Sequence, residues 1–565
     1  MRFHLKLALG TSLALGVTSS VSAQITTLAS EGNNIAGVGN ITQFDNIAIS
    51  TNGDWYAEVR TDHSDGSANK VILKNGSVFL REGQAMSAPA GATLKKFDSL
   101  VTNAVGDSAH NLTVTLGSDT QGVYWNDKLV KAVGDVVTAT GFSAGATFNS
   151  FEEVRINNNN QIAAIVEVDD SAIGLPSAAA IIMWDLDAAG NVTAETTLQI
   201  EEAPIGSLTA NIDAINQLAT TWGFNDSGSV IYSITMDTGS GANNQAVALD
   251  LNNIVEASFP SPAAGRTWTG LSSAECSINN NGDWVVNGGI SGSTADNQLI
   301  AKNDVKFVQK GDSLTGMGGY LITSFSNGPV EIANNGDVLW FGAWDDPDTS
   351  KNEGLWLNQT MIVQEGVTTV GGTLITKLVG AIDGYHMDPD GQWIVFEATL
   401  ATGLDGIFRL SIGSGGQPGN PMCFGDGSGG VCPCGNFGGT GQGCLNSSGS
   451  GGTLAAFGAP SAASSTLSFQ AGSVASNKTC LLVSNTTSSS NPLGDGLGCV
   501  GGGWATHNVS FSNGSGSVNW GANQISSAGW VAGQEQYFQV MFRDPSGACG
   551  MQFNTTGAYK VTVQP

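Results

Sequence analysis

The chain is poor in positive charge. Lys and Arg number 21 in 565 residues against 48 Asp and Glu, for a net charge of −27. A surface of that sign repels nucleic acid and anionic lipid, so neither is an expected partner. The deficit is uneven. From Pro418 onward there are three basic residues (Lys478, Arg543 and Lys560) and four acidic ones, whereas residues from Gln24 to that point carry 16 basic and 44 acidic. Histidine is scarce too: past residue 23 only His63, His110, His386 and His507 remain, spread along the chain. There is no His-Glu-x-x-His, no phosphate-binding loop and no Gly-x-Ser-x-Gly elbow in a strand-to-helix context. That removes the zinc peptidases, P-loop nucleotidases and nucleophile-elbow hydrolases from consideration. Long stretches of helical period are missing as well, so no major helix is expected.

What is abundant is Gly, 77 residues, with Asn, Ser and Thr. These residues suit many short strands joined by turns. The first 23 residues stand apart. Arg2 and Lys6 precede the apolar run Leu7 to Val17, which is too short to span a bilayer, and Val21-Ser22-Ala23 is a small-residue cleavage signature. Residues 1–23 therefore read as a signal peptide, with the mature protein starting at Gln24. No later segment approaches a membrane span, so the expectation is secretion or a cell-surface location without membrane insertion.

A repeat organises most of the remainder. An apolar residue, three turn-formers, Gly and a new apolar run occur as Ile49-Ser50-Thr51-Asn52-Gly53-Asp54-Trp55. The pattern returns at Ile278 to Trp284, at Ile332 to Val338 and at Met387 to Trp393, with weaker copies at Gly106-Asp107, Ile156 to Asn160 and Phe224 to Gly228. The turn residues fall at 53, 106, 160, 228, 282, 336 and 391, and the one long step marks an insertion within 165–200. Each repeat also holds a second hairpin, such as Val71-Ile72-Leu73, Lys74-Asn75-Gly76, Ser77-Val78-Phe79-Leu80. Asn-Gly and Asn-Asp between apolar runs tolerate the left-handed backbone region that such turns need. Four antiparallel strands repeated seven times predict a seven-bladed β-propeller. The seventh repeat stops after Gly406 to Leu410 without a fourth strand. The segment Ile25 to Gly32 matches the fourth-strand endings Val78 to Gly83 and Met361 to Gly366. Residues 25–30 are therefore expected to complete the last blade and close the ring.

Composition changes after Ser411. The expected organisation is a propeller over 24–412, a Gly/Pro-rich linker over 413–421 and a Cys-rich β domain over 422–565, small and sandwich-like. Seven of the eight cysteines lie in the last part. In an exported chain they read as disulfides before metal ligands. Cys432-Pro433-Cys434 has one intervening residue and no nearby His, which argues against zinc. Because seven is odd, either Cys276 pairs with one of them or two thiols stay free.

Cys423-Phe424-Gly425-Asp426-Gly427, Cys432-Pro433-Cys434-Gly435-Asn436, Gly443-Cys444, Gly494-Asp495-Gly496-Leu497-Gly498-Cys499 and Phe542-Arg543-Asp544-Pro545 with Cys549 together resemble the C-terminal module of exported planctomycete-type bacterial proteins. The Asn-Asn-Gly-Asp turn and Gly-Leu-Trp strand are similar to those of bacterial exported propellers of unassigned function. The resemblance implies an exported bacterial protein and brings no activity with it. It implies Cys423, Cys432, Cys434, Cys444, Cys499 and Cys549 as the regular disulfide set and leaves the states of Cys480 and Cys276 open.

Two site candidates follow from the residues. A carboxylate stands beside Gly after most of the fourth strands, at Glu31, Glu82, Asp135, Asp312 and Glu365, with Glu202 lacking the Gly and the boundary near Phe259 lacking the carboxylate. On one propeller face these would form a partial ring able to attract calcium, the one cofactor the sequence suggests though none is required. The alternative is that each caps backbone N–H groups in its own loop. Trp504, Trp520 and Trp530 would stack on sugar rings if exposed and belong to a core if buried. His386, on an expected inner strand, could line the channel as an acid or base. The expected role is recognition of an extracellular polysaccharide or surface protein. A polysaccharide hydrolase or lyase using channel carboxylates and a structural surface component are the alternatives, and no catalytic residue can be named.

Overall fold

The computed structural model describes residues 25–563 apart from 172, 174–176, 207–209, 238–243, 315, 413–418, 440, 458–459, 461–466, 514–515, 522–524, 526 and 528. The signal peptide expected at 1–23 and most of the expected linker at 413–421 lie outside the described residues. At the linker's end, Gly419–Met422 is a strand paired with Phe553–Thr562.

The protein is all-β and propeller-like. Among the described residues the only helix is a 3₁₀ turn at Ala219–Thr221. Seven antiparallel sheets follow one another from Asn34 to Ser411, each with four or five strands besides Ile25–Ser30 in the last. The seventh takes in Ile25–Ser30, which pairs antiparallel with Asp405–Ser411 from Ile25↔Leu410 to Ser30↔Gly406. The extra length in the third repeat lies in its outer hairpin. Ala178–Leu186 and Val192–Ile200 have nine residues each, where the fifth sheet's Gln298–Lys302 and Val305–Gln309 have five.

Strand alternation gives every sheet two apolar faces, and each face is buried against a neighbouring sheet. One core joins Tyr56 and Ile72 of the first sheet to Leu112 and Tyr124 of the second. Further cores join each later sheet to the next. Another joins Val395 and Ile407 of the seventh to Ala57 and Val71 of the first. The sixth sheet carries the heaviest packing: Trp340 and Trp356 stack with ring centroids 5.2 Å apart, and Trp344 meets Trp356 edge-on.

The repeated turns do more than reverse the chain. Their turn residues Gly53, Gly106, Asn160, Gly228, Gly282, Gly336 and Gly391 lie at φ between 56° and 89°, where glycine is favoured. In five of these turns the residue three positions earlier is Asn or Asp (Ser50 and Ala333 are the others), and it binds its own turn and often reaches the next sheet as well. Asn279 Oδ1 accepts the N–H of Asn281 and Asp283, while its Nδ2 donates to the Ala333 carbonyl at 2.9 Å. Asn103 reaches Asn157, Asn157 reaches Asn225, and Asn225 reaches Asn279 in the same way. Asn334 N–H donates to Pro389, Asp388 accepts from Thr51 Oγ1 at 2.9 Å, and Asn52 Nδ2 donates to Val105. Each sheet is thus tied to the next through polar groups at one end, of which Asn103, Asn157, Asn225, Asn279 and Asp388 are buried. Asn279→Ala removes three such bonds and leaves donors and an acceptor unsatisfied. It is expected to cost about 2 kcal/mol, read as a lower urea midpoint with an unchanged slope.

From Gly419 onward a five-stranded sheet faces a three-stranded one made of Thr453–Phe457, Ser468–Gly472 and Val518–Trp520. A single core lies between them, with Phe469 and Trp520 from the small sheet against Phe538, Val540 and Tyr559 from the large one. Three disulfides join Cys423–Cys499, Cys432–Cys444 and Cys434–Cys549. They cross-link the loops around that core and fit an oxidising compartment. Cys276 and Cys480 are buried free thiols. No helix among the described residues is long and apolar enough to cross a membrane.

Candidate functional site

The inner strands of all seven sheets face one cavity of ≈ 380 Å³. Much of its wall is apolar or small, from Ala48, Val101, Gly223 and Ser277. The third, sixth and seventh sheets set charged groups among these. Glu153 and Arg155 come from Thr147–Ile156, Glu331 from Glu331–Ile332, Asp383 from the turn before Tyr385–Met387, and His386 from that strand.

Arg155 is fixed by what surrounds it. Its guanidinium donates to the carbonyls of Val154, Ala219 and Trp222 and lies 4.9 Å from the Trp222 ring centre. Burial pulls its pKa down, and the charges of Glu153, Glu331 and Asp383 oppose that. The carbonyls and the ring satisfy the cation without a direct carboxylate partner, so its field extends into the cavity.

Glu153 is half-buried, and no hydrogen bond to its carboxylate forms among the described residues. Burial raises its pKa to about 7, Arg155 acts against the rise, and Asp383 adds to it. Asp383 is also raised, first by burial, with His386 and Arg155 pulling the other way. The two carboxylates belong to the third and seventh sheets, which are not neighbours in the chain of cores, yet their charges act on each other across the cavity.

Glu331 and His386 form an ion pair at 2.6 Å through Oε1 and Nδ1, and Glu331 Oε2 accepts the Met387 N–H at 2.7 Å. Burial alone would lower the His386 pKa. The charge and hydrogen bond of Glu331, with Asp383 behind them, outweigh it and leave the pKa raised. His386 is therefore a cavity-lining imidazole oriented by Glu331, which favours its charged form. Glu153, Arg155, Glu331 and Asp383 escape sequence reading, although Arg155, Glu331 and His386 share one repeat position, two residues before Asn157, Ala333 and Asp388. The other repeats place Ala48, Val101, Gly223 and Ser277 there.

The six carboxylates expected to form a ring are not gathered together. Among the described residues no three His, Cys, Asp or Glu side chains are grouped to hold a metal. Glu31 accepts the Asp405 N–H, Asp135 the Ala132 N–H, and Asp312 the Gln309 N–H together with Lys306. Glu82 is buried, Glu365 has its pKa raised by burial and by Glu353, and Glu202 itself occupies a left-handed turn position at φ 65°. Three of the six thus serve their own or an adjoining loop, as the capping alternative describes.

Among the tryptophans, Trp520 is fully buried, donates to the Asn508 carbonyl and is core, so it is not available to stack on a sugar. Trp530 packs edge-on against Phe538. Trp504 is 37% exposed, and its Nε1 donates to Val500.

No protein-family model and no curated protein matches the sequence. Solved structures give weak likenesses. A puromycin hydrolase complexed with PGG is 8% identical with a TM-score of 0.24 over 66% of this chain, which spans only 62% of that protein's length. A neuraminidase-like protein of A/flat-faced bat/Peru is 12% identical with a TM-score of 0.25, covering 69% of this chain and 95% of its own. Trypanosoma rangeli sialidase in complex with the inhibitor DANA is 9% identical with a TM-score of 0.26, covering 92% and 89%. Similarities of this size carry no argument about activity; the cavity's own chemistry must.

Proposed function

We propose that residues 24–412 of this exported protein form a seven-bladed propeller, closed by Ile25–Ser30, whose channel binds a sugar-sized part of an extracellular polysaccharide. The seven shared cores and the turn-to-turn bonds support the ring. One observation carries the ligand reading. In the cavity of ≈ 380 Å³ the carboxylates of Glu153 and Asp383 have no hydrogen-bond partner among the described residues, and they share it with Arg155 and the Glu331-oriented His386. Polar groups left open in a low-dielectric site are costly unless a ligand or water completes them. Sugar hydroxyls both donate and accept, which suits a mixed set of acids and cations. An apolar ligand would leave both carboxylates unmet, and a nucleic-acid strand would be repelled.

The test is calorimetric titration of the mature chain with a panel of extracellular polysaccharides and their oligosaccharides. Binding is expected to weaken at least about tenfold in Arg155→Ala, the order expected for losing a charged hydrogen bond. Heat that is unchanged in Arg155→Ala moves the ligand out of the channel, to an outer face and a surface-protein partner. No heat with any glycan leaves a structural role.

Glu153 favours a second reading. A carboxylic acid with a pKa near 7 beside a second carboxylate is equipped to protonate a glycosidic oxygen while the other acts as base or nucleophile. Shortened chains with wild type, and intact bound chains with Glu153→Gln, would make the protein a hydrolase.

A further inference from the structure

We infer that Asp495 and Asp544 are protein ligands of one hard divalent cation, of the calcium class, beside the Cys434–Cys549 disulfide. These aspartates belong to separate sequence motifs, Gly494 to Cys499 and Phe542 to Cys549, and the channel reading uses neither. Both are fully buried. The fold brings them to one point across Gly547. A Cβ at Gly547 would lie 2.1 Å from Asp495 Oδ2 and 2.8 Å from Asp544 Oδ2, so position 547 admits no side chain while the carboxylates hold this arrangement.

Their partners fall short of their charge. Asp495 Oδ1 accepts the Met551 N–H at 2.8 Å, and Oδ2 accepts the Cys549 N–H at 3.3 Å. Asp544 Oδ2 accepts the Ser447 N–H at 3.1 Å. Asp544 Oδ1 is buried and has no partner. Past residue 418 the only basic residues are Lys478, Arg543 and Lys560, and Lys560 is paired with Glu535. No ion pair to either aspartate forms among the described residues.

Two adjoining carboxylates out of water must be neutralised by a proton or a cation. A proton on Asp544 Oδ1 would leave the charge of Asp495 unanswered. A proton held between the two Oδ2 atoms would still leave Oδ1 bare. A cation answers both needs. Calcium takes six to eight oxygens and accepts water among them, so two carboxylates suffice as its charged ligands although no third acidic side chain joins them. The site also explains its neighbours. Asp495 holds the N–H of Cys549, and its own carbonyl accepts from Asn436 Nδ2 at 2.8 Å. A bound ion would therefore lock both arms of the disulfide loop.

The experiment uses the full mature, oxidised protein stripped with chelator and titrated with calcium chloride. One ion is expected to bind with a dissociation constant on the order of 10⁻⁴–10⁻³ M, the range of extracellular modules. Asp544→Asn should weaken it at least tenfold. Calcium should also slow alkylation of Cys549 under limiting reductant several-fold. No heat with calcium, or binding undiminished in both Asp544→Asn and Asp495→Asn, overturns the site. If neither variant folds, the wild-type alkylation rate decides: equal rates in calcium and in chelator mean that only water or a proton occupies the pair.

Discussion

A chain shortened to begin at Glu31 is expected to lose its cooperative melt or to melt roughly 10 °C lower than the chain beginning at Gln24. The segment Ile25–Ser30 supplies an outer strand to the seventh sheet, with five paired positions along Asp405–Ser411. Ala29 is buried, Leu28 packs in the core between the seventh and first sheets, and Ile25 packs in that between the sixth and seventh. Several ladder hydrogen bonds at about 1 kcal/mol each, with the apolar area of three side chains, come to on the order of 5 kcal/mol. That approaches the whole stability of an ordinary domain. The deletion also bares the edge of Asp405–Ser411, a template for pairing with other chains. Concentration-dependent association in sedimentation should therefore accompany the lower melt. A peptide covering residues 24–33 should reverse both effects. An unchanged melt with a monomeric protein would show that the strand adds nothing to the ring.

That strand was legible in the sequence because it repeats a pattern. Ile25 to Gly32 matches Val78 to Gly83 closely enough to be assigned without a structure. The turns were legible for the same reason: Asn and Gly at fixed offsets have few other uses. The second role of the turn residue was not legible. Nothing in Asn279 itself says that its Nδ2 reaches the next sheet, since that depends on how two sheets dock. The channel charges stayed hidden because chemistry there breaks the repeat rather than following it. Arg155 occupies a position held elsewhere by Ala48 or Gly223, and only an alignment of the seven inner strands would mark it as an exception. Of the acidic residues that were conspicuous after the fourth strands, Glu31, Asp135 and Asp312 accept backbone N–H groups of their own or adjoining segments. Regularity reports the scaffold, and departures from it report the site.

Half-buried acids make the protein's stability depend on pH in an unusual direction. Glu153, Glu275 and Glu397 each have the pKa raised to about 7 from an ordinary value of 4.5, chiefly by burial. In the unfolded chain these groups ionise near 4.5, and in the folded chain near 7. The unfolded state therefore gains from ionisation first. The stability they allow is fully present below pH 4.5 and is lost as pH rises through 7. Each full shift corresponds to about 3 kcal/mol, discounted to roughly 2 because all three side chains are only partly buried. The His386–Glu331 pair works in the same direction: its contribution is whole below the ordinary histidine value of 6.5 and is lost as pH rises through the raised folded value. Glu195 opposes them. Burial would raise its pKa, but Lys131 and the Thr138 and Ala139 N–H groups lower it, so its contribution is lost in acid. The mature protein should be several kcal/mol more stable at pH 5 than at pH 8 in urea unfolding. Glu153→Gln should recover roughly 2 kcal/mol at pH 8 and change little at pH 4.5, because the amide cannot ionise. The same variant should bind the channel glycan less well, which would mark Glu153 as a residue held at a cost to stability for what the channel does. A flat stability from pH 5 to 8 would mean that the cavity solvates its acids as well as bulk water does, and the case for a dry, ligand-completed channel would fall with it.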